Sequence, residues 1–335
     1  RGRAAMTNEL LDQARAGDRD AFAALVEPPR GELQVHCYRM LGSLQDAEDA
    51  VQETLLAAWL ALAGFEERSS LRTWLYRIAT NRCLNQLRSA ARRPASAAAL
   101  PAPAPQPSGL GEVPWLQPYP DVLLDALVDE APGPEARYES REAISLAFIT
   151  AMQLLPPKQR AVLLLRDVLG YRASEVAQLL STTEDAVTNA LKRARASLAT
   201  RSREPAPVTG TSERELLRRF VDAFTADDTA ALIALMSEDI WVRMPPLPFE
   251  YRGREAAGRF FAAVGAHRRS IGRMEPVGVN RQPGFGEYVN DSRSGLLRLA
   301  GVVVLDVSGG LVREVTHFET AVAPYLGLPR TLHQD

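Results

Sequence analysis

The sequence predicts a multidomain chain. Two all-α domains come first, the second a helix-turn-helix, and an α+β domain follows at the C-terminus. Three observations carry this. Apolar residues recur at 3- and 4-residue steps through residues 7–93 and again through 140–201. Ten prolines between Pro94 and Pro134 separate the two stretches and forbid a continuous helix or a central strand there. From Ile240 onward, short β-like runs alternate with turn residues. At roughly 150 residues per domain, 335 residues hold about two domains, or three small ones.

In the first stretch, Ala47, Ala50, Val51, Thr54, Leu55, Ala58, Trp59 and Leu62 form one amphipathic stripe, and Ser43 followed by Asp46 resembles a capping box at its start. Leu71, Trp74, Leu75, Ile78, Ala79 and Leu84 form another. Asp46, Asp49, Gln52 and Glu53 lie on the polar side of the first stripe, which is either a solvated face or a partner surface. Arg72, Arg77, Arg82 and Arg88 are interleaved with Trp74, Tyr76, Asn81 and Asn85. Cations mixed with aromatics suit melted nucleic acid, whose bases unstack onto side chains; Trp74 itself reads as core.

The net charge of −2 argues, taken alone, against a nucleic-acid partner. By segment it divides into +1 for residues 1–93, −6 for 94–140, +4 for 141–204 and −1 for 205–335. The acidic, proline-rich piece reads as an extended, semi-rigid linker. Its aromatic patch, Trp115-Leu116-Gln117-Pro118-Tyr119-Pro120, is more than a solvated tether needs and is expected to dock. A second break is expected at Glu204 to Thr211.

In the second helical stretch, breaks fall at Pro156-Pro157, Gly170 and Ser181. Ser174 to Leu180 is one short helix with Ser174 as its expected cap, and Glu184 opens a second. Val187, Leu191, Ala194 and Leu198 step along the buried side of that second helix. Asp185, Thr188, Asn189, Lys192 and Arg193 fall opposite, as suits a helix in the major groove whose early residues reach base edges and whose cations reach phosphates. A solvated helical hairpin is the alternative.

The C-terminal part opens with helices at about 213–226 and 228–236. Strands follow at Ile240 to Met244, Arg273 to Arg281, Phe285 to Asp291, Leu296 to Val307 and Leu311 to Glu319, with a helix from Arg254 to Val264. Ser308-Gly309-Gly310 reads as a hairpin turn. The two cysteines, Cys37 and Cys83, exclude a disulfide framework and an all-cysteine zinc site and fit a reducing cytoplasm. No cofactor or metal is expected. No segment approaches the roughly 20 apolar residues that a bilayer requires, and the N-terminus has no signal-peptide core, so no membrane partner is expected.

Phe22-Ala23-Ala24-Leu25, then Asp46-Ala47-Glu48-Asp49-Ala50-Val51-Gln52-Glu53 and Leu71-Arg72-Thr73-Trp74-Leu75-Tyr76-Arg77-Ile78-Ala79-Thr80-Asn81, resemble region 2 of an extracytoplasmic-function (group IV) RNA polymerase sigma factor. Leu154-Leu155-Pro156-Pro157-Lys158-Gln159-Arg160, the helix-turn-helix and Leu191-Lys192-Arg193-Ala194-Arg195 resemble region 4. The resemblance implies a non-enzymatic, cytoplasmic protein that binds RNA polymerase core, at its clamp helices and flap, and promoter DNA. Asp46, Asp49, Gln52 and Glu53 would dock the polymerase. Arg72, Trp74, Arg77, Asn81, Arg82, Asn85 and Arg88 would serve the −10 element. Thr183, Asp185, Thr188, Asn189, Lys192, Arg193 and Arg195, on a helix expected to run to Arg201, would serve the −35 element. The acidic linker would thread the polymerase cleft.

Leu216 to Phe224, Leu232 to Met236, Asp239-Ile240-Trp241-Val242, Tyr251-Arg252-Gly253 and Phe318-Glu319-Thr320 resemble a SnoaL-like polyketide-cyclase cone. The expected divisions are 7–93 for region 2, 94–136 for the linker, 137–203 for region 4 and 211–328 for the cone. A cone of this kind implies a pocket, with Trp241, Glu287, Tyr288 and His317 as candidate lining and Asp239 and Asp291 as further carboxylates; none has a recognisable catalytic partner. The expectation is intramolecular control, the cone holding the linker through Trp115, Tyr119 and Asp121. The alternatives are a one-component sensor whose cone binds a small molecule, and a cone enzyme with a DNA-binding appendage.

Overall fold

The computed structural model describes residues 2–90, 104–113, 115–127, 143–199, 210–267 and 270–334. The chain divides into two compact units. One comprises Arg1–Ala95, Leu123–Ala143 and Ala151–Arg201; the other comprises Ser96–Val122, Ile144–Thr150 and Ser202–Asp335. The expected boundaries at 93, 136 and 203, and the helix end at Arg201, lie outside the described residues, as does most of the break at Glu204–Thr211.

The first unit opens with four helices, α1 (Gly2–Arg15), α2 (Arg19–Leu41), α3 (Leu44–Ala61) and α4 (Leu71–Ala90). Their ends follow local chemistry. The Asp18 carboxylate accepts from the amides of Asp20 and Ala21 to start α2, and Gly42, at φ 74°, ends it. The Ser43 hydroxyl accepts from Asp46 N at 3.1 Å to start α3. Ala47, Ala50, Val51, Thr54, Ala58 and Leu62 are buried along the expected stripe, and α3 packs on α2 and α4. Two helices have residues in both units: the short α5 (Asp121–Asp125) and α6 (Leu146–Gln153). After Pro156, α7 (Pro157–Leu163) continues into a π turn over Leu164–Val168 and stops at Gly170, φ 71°. The helix-turn-helix is α8 (Ala173–Leu179) and α9 (Glu184–Ala199), with Ser181 at φ 51° in the turn. Ser174 is not the cap of α8. The helix begins one residue earlier, and the Glu175 carboxylate reaches back to accept from Arg172 N at 2.6 Å.

The second unit is the α+β part: α10 (Gly210–Thr225), α11 (Thr229–Ala234), β2 (Met236–Met244), β3 (Leu247–Arg252), α12 (Arg254–His267), β4 (Ile271–Val279), β5 (Gln282–Asp291), β6 (Leu296–Ser308), β7 (Leu311–Phe318) and β8 (Thr331–His333). A two-residue strand from the linker, β1 (Gly109–Leu110), precedes them and joins the same eight-stranded sheet. Its order is β1-β3-β2-β7-β6-β5-β4, with β8 on β6. The β2–β7 pair is parallel and the rest are antiparallel. Gly309 and Gly310, at φ 62° and 74°, make the expected hairpin between β6 and β7. The core gathers Phe220, Phe224, Phe260 and Phe261 from the helices and Ile240, Val242, Val303, Leu305 and Val315 from the sheet.

Candidate functional site

The α9 face is the simplest surface. Val187, Leu191 and Ala194 are buried, and Ala190 joins them. Thr183, Asp185, Thr188, Asn189, Lys192, Arg193 and Arg195 are all exposed. Two of them are engaged: the Thr183 hydroxyl accepts from Ala186 N at 3.2 Å, and the Arg195 guanidinium lies fork-on-fork with the Asp167 carboxylate at 2.7 and 2.8 Å.

On α4 the candidates divide. Arg77, Asn81, Asn85 and Arg88 step by 4, 4 and 3 along one exposed face, with Arg82 beside them. Arg72 is held by Glu32 at 2.6 Å and lies over the Tyr76 ring at 5.0 Å. Trp74 is 6 % exposed and packs on Phe65, ring centroids 4.8 Å apart, so the structure places it in the core. Beneath α4, His36 is fully enclosed. Burial, and next to it the Arg39 charge, pull its pKa down to about 3. Thr80 Oγ1 donates to Tyr76 O at 2.7 Å, so at its 2.9 Å contact with His36 Nε2 the hydroxyl accepts and the ring nitrogen donates.

On α3, Asp49, Gln52 and Glu53 are exposed and Asp46 is half-buried; Glu53 lies 3.8 Å from Arg82. Leu56 and Leu60, 61 % and 75 % exposed, continue this side of the helix. Sequence reading passed over them because the neighbouring Leu55 falls in the apolar stripe and they do not.

The linker is built into the sheet. Gly109 and Leu110 pair with Glu250 and Phe249; Ser108 N donates to Glu250 O at 2.8 Å, and the Tyr251 hydroxyl donates to Pro105 O at 2.8 Å. Further along, Asn280 takes up the chain on both sides of its amide. Its Oδ1 accepts from Tyr119 N at 2.7 Å, its backbone N donates to Tyr119 O at 2.9 Å, and its Nδ2 donates to Ile144 O at 2.7 Å. Arg281 N donates to Asp121 Oδ1 at 2.8 Å, and Leu146 N donates to Gln282 Oε1 at 2.8 Å. Tyr119 is 1 % exposed, whereas Trp115 is 44 % exposed. Asn280 and Arg281 form the β4–β5 turn with φ 54° and 58°, a left-handed pair that Asn tolerates well. A Cβ at Gly278 would stand 2.8 Å from Asp121 Oδ2, so glycine admits the linker here. Asn280, Gln282 and Gly278 escaped sequence reading; Asn between two β runs was the available signal.

Of the four candidate cone-pocket residues, Glu287 and His317 come together and Trp241 and Tyr288 lie apart from them. Glu287 is buried with its Oε2 3.6 Å from His317 Nε2, and Gly301 leaves room for the imidazole. Trp241 faces away from the core that its neighbours Ile240 and Val242 enter, and the guanidinium groups of Arg243 and Arg252 lie over its ring, 4.6 and 4.9 Å from the centroid. Tyr288 sits in a separate cluster with Leu297, Leu299 and Ala323, its hydroxyl donating to Pro329 O at 2.7 Å. Strand alternation, and the bulge between Glu287 and Tyr288, separate them. Asp239 pairs with Arg313, and Asp291 pairs with Arg298 while accepting from Arg293 N in a turn. A groove of about 580 Å³ lies elsewhere on the cone, between α10 and the β4–β5 hairpin; Leu217, Val221, Met274 and Phe285 line it, and Gly278 and Gln282 stand at its edge. Among the described residues there is no cluster of three metal-ligating side chains, and no helix is long and apolar enough to cross a membrane.

The Sigma-70 region 2 family matches residues 25–93, Sigma-70 region 4 matches 145–198, and the SnoaL-like domain matches 217–315. The chain is 42 % identical over 331 residues to the ECF RNA polymerase sigma factor SigG of Mycobacterium tuberculosis, covering 95 % of this chain and 86 % of that one. It is 31 % identical over 193 residues to SigM of the same species, covering 57 % and 82 %. The crystal structure of the extracytoplasmic function sigma factor SigJ of M. tuberculosis superimposes with a TM-score of 0.59 at 21 % identity, covering 88 % of this chain and 95 % of that one. With two sigma regions in order and a relative matched over most of its length at that identity, the chain belongs to the extracytoplasmic-function sigma factors, which act by directing RNA polymerase core to promoters rather than by catalysis.

Proposed function

We propose that α9 reads the −35 element, that the Arg77–Arg88 face of α4 serves the −10 element, and that Asp46, Asp49, Gln52 and Glu53 dock the polymerase clamp helices, with region 4 also touching the flap. On this reading the SnoaL-like domain is a regulatory body that sets promoter output by gripping the linker. The carrying observation is Asn280, whose side chain and amide hold Tyr119 and Ile144 together. A linker held at fixed points samples fewer arrangements than a free one, which changes the effective concentration of whatever it tethers.

The test is transcription in vitro with core polymerase and the full chain, against Asn280→Ala. Removing this side chain strands a buried amide and a buried carbonyl, at a local cost of about 2–4 kcal/mol. Promoter output is expected to change by at least about threefold while the start site stays the same. Unchanged output would contradict cone control; no promoter-directed transcript from either form would contradict the promoter reading itself. Trp115→Ala is expected to do less, since Trp115 remains 44 % exposed.

A second reading has its own support in the α10–hairpin groove, which shares Gly278 and Gln282 with the linker grip. A small apolar ligand there would bear on the same hairpin. Native mass spectrometry of the purified full chain separates the two readings by the presence or absence of a retained small molecule.

A further inference from the structure

Helix α1 lies ahead of residues 25–93, where the Sigma-70 region 2 match falls, yet its last residue reaches into that region. The Arg15 guanidinium is laid on the loop between α3 and α4. Its Nη1 donates to Glu67 Oε1 at 2.9 Å, and its Nη2 donates to Phe65 O. The two grips come from 52 and 50 positions away in the sequence and fall on either side of Glu66. Glu67 itself sits at φ 56°, in the left-handed region that a residue with a Cβ rarely adopts. Such a backbone persists where surrounding contacts over-determine it. Phe65 adds a third hold by packing on Trp74. The chain then enters α4 through Ser70, whose hydroxyl accepts from Thr73 N at 3.1 Å.

The polar row on α4 does not stop at Arg77. Stepping back by 4 and then 3 residues gives Thr73 and Ser70. The face of Arg77, Asn81, Asn85 and Arg88 therefore runs off the N-terminal end of the helix into the loop. There Glu66, Glu67, Arg68, Ser69 and Ser70 are all exposed. The two arginines at this loop are used differently: the Arg15 side chain is 27 % exposed and the Arg68 side chain 85 %. Arg15 is spent on the protein, and Arg68 is turned to solvent.

We infer that Arg15 is a positioning residue for −10 recognition: without touching DNA, it holds the Phe65–Ser70 loop in the shape that lets Ser69, Ser70 and Thr73 continue the DNA-facing row of α4. The inference rests on the assignment of the Arg77–Arg88 face to the −10 element. Unstacked bases meet side chains along such a row, and a hydroxyl can donate to or accept from a base edge. A loop released from Arg15 offers those hydroxyls in many arrangements. Discrimination then falls at the bases they face, while Arg77, Asn81, Asn85 and Arg88 keep theirs. A guanidinium suits this task because its planar fork donates to two acceptors at once, whereas an ammonium is a point donor.

The test uses the full chain with core polymerase on a promoter selected from random-sequence DNA and then re-randomised through its −10 element, each template carrying a barcode in its transcript. The transcripts give a base-preference profile for wild type, Arg15→Ala, Arg15→Lys and Glu67→Ala, with denaturant unfolding of each chain in parallel. Arg15→Ala is expected to lower the preference at one end of the −10 element by at least about fivefold and to leave the other −10 positions and the −35 preference unmoved. Arg15→Lys, which keeps the charge and one donor direction, is expected to recover part of that loss. Should Arg15→Ala fail to fold, Glu67→Ala, which leaves the bond to Phe65 O in place, is expected to move the same bases by less. A profile identical to wild type in the folded variants, or an equal fall at every position that tracks lost folded protein, overturns the positioning role. Wild-type transcription indifferent to the −10 sequence sinks the −10 assignment instead.

Discussion

Helices α9 and α4 both carry candidate DNA-facing side chains, yet they are prepared differently. Every candidate on α9 is exposed, and only Arg195 is engaged by a neighbouring carboxylate. On α4 the aromatic members are core, Arg72 is committed to Glu32 and Tyr76, and the exposed members form a narrower face. A helix that reads duplex grooves needs only a rigid apolar back and a solvated front. On α4 the aromatic residues Trp74 and Tyr76 belong to the core, so a substitution there disturbs the fold before it reports on any nucleic acid.

The largest expected break in this contrast is Trp74→Ala. Deleting a buried indole is expected to lower unfolding stability by about 3–5 kcal/mol, read by denaturant titration of the full chain. Thr188→Ala on α9 should stay within about 0.5 kcal/mol in the same assay. Next is the pH response beneath α4. His36 has a folded pKa of about 3 against about 6.5 unfolded, so between those values the unfolded chain holds the extra proton. Stability is therefore intact above pH 6.5 and falls as pH drops toward 3, by up to about 1.4 kcal/mol per pH unit. His36→Gln is expected to flatten that slope, and an unaltered slope would show that other groups govern it. Third, Lys192→Ala or Arg193→Ala should weaken binding to a −35 duplex about tenfold and reduce its salt slope by about one, measured by fluorescence anisotropy. Smallest is Arg72→Ala, whose partly exposed ion pair contributes about 0–1 kcal/mol.

What was legible in the sequence was what local periodicity encodes. The stripes of α3, α4 and α9, the breaks at Pro156 and Gly170, and the Ser308-Gly309-Gly310 hairpin needed no partner to be seen. The strand β3 was missed because Pro248 interrupts it, and its neighbours β1 and β2 are a linker dipeptide and a strand across a Pro245-Pro246 turn. Pairing between residues as distant as Gly109 and Glu250 leaves no local trace. The same holds for the cone candidates. Trp241, Glu287, Tyr288 and His317 are plausible pocket chemistry one at a time, but facing depends on strand alternation and on a bulge that composition does not announce. Asn280 reads as an ordinary turn residue until the linker is seen lying across it.

The α9 contrast is tested most directly by run-off transcription with core polymerase and the full chain, on a promoter selected from random-sequence DNA. Wild type and Lys192→Ala/Arg193→Ala are compared with the −35 element intact and scrambled. The expectation is that wild type discriminates the two templates at least about tenfold and that the double variant loses most of that ratio while still responding to the −10 element. Equal discrimination by both proteins would contradict the assignment of α9 as the −35 reader.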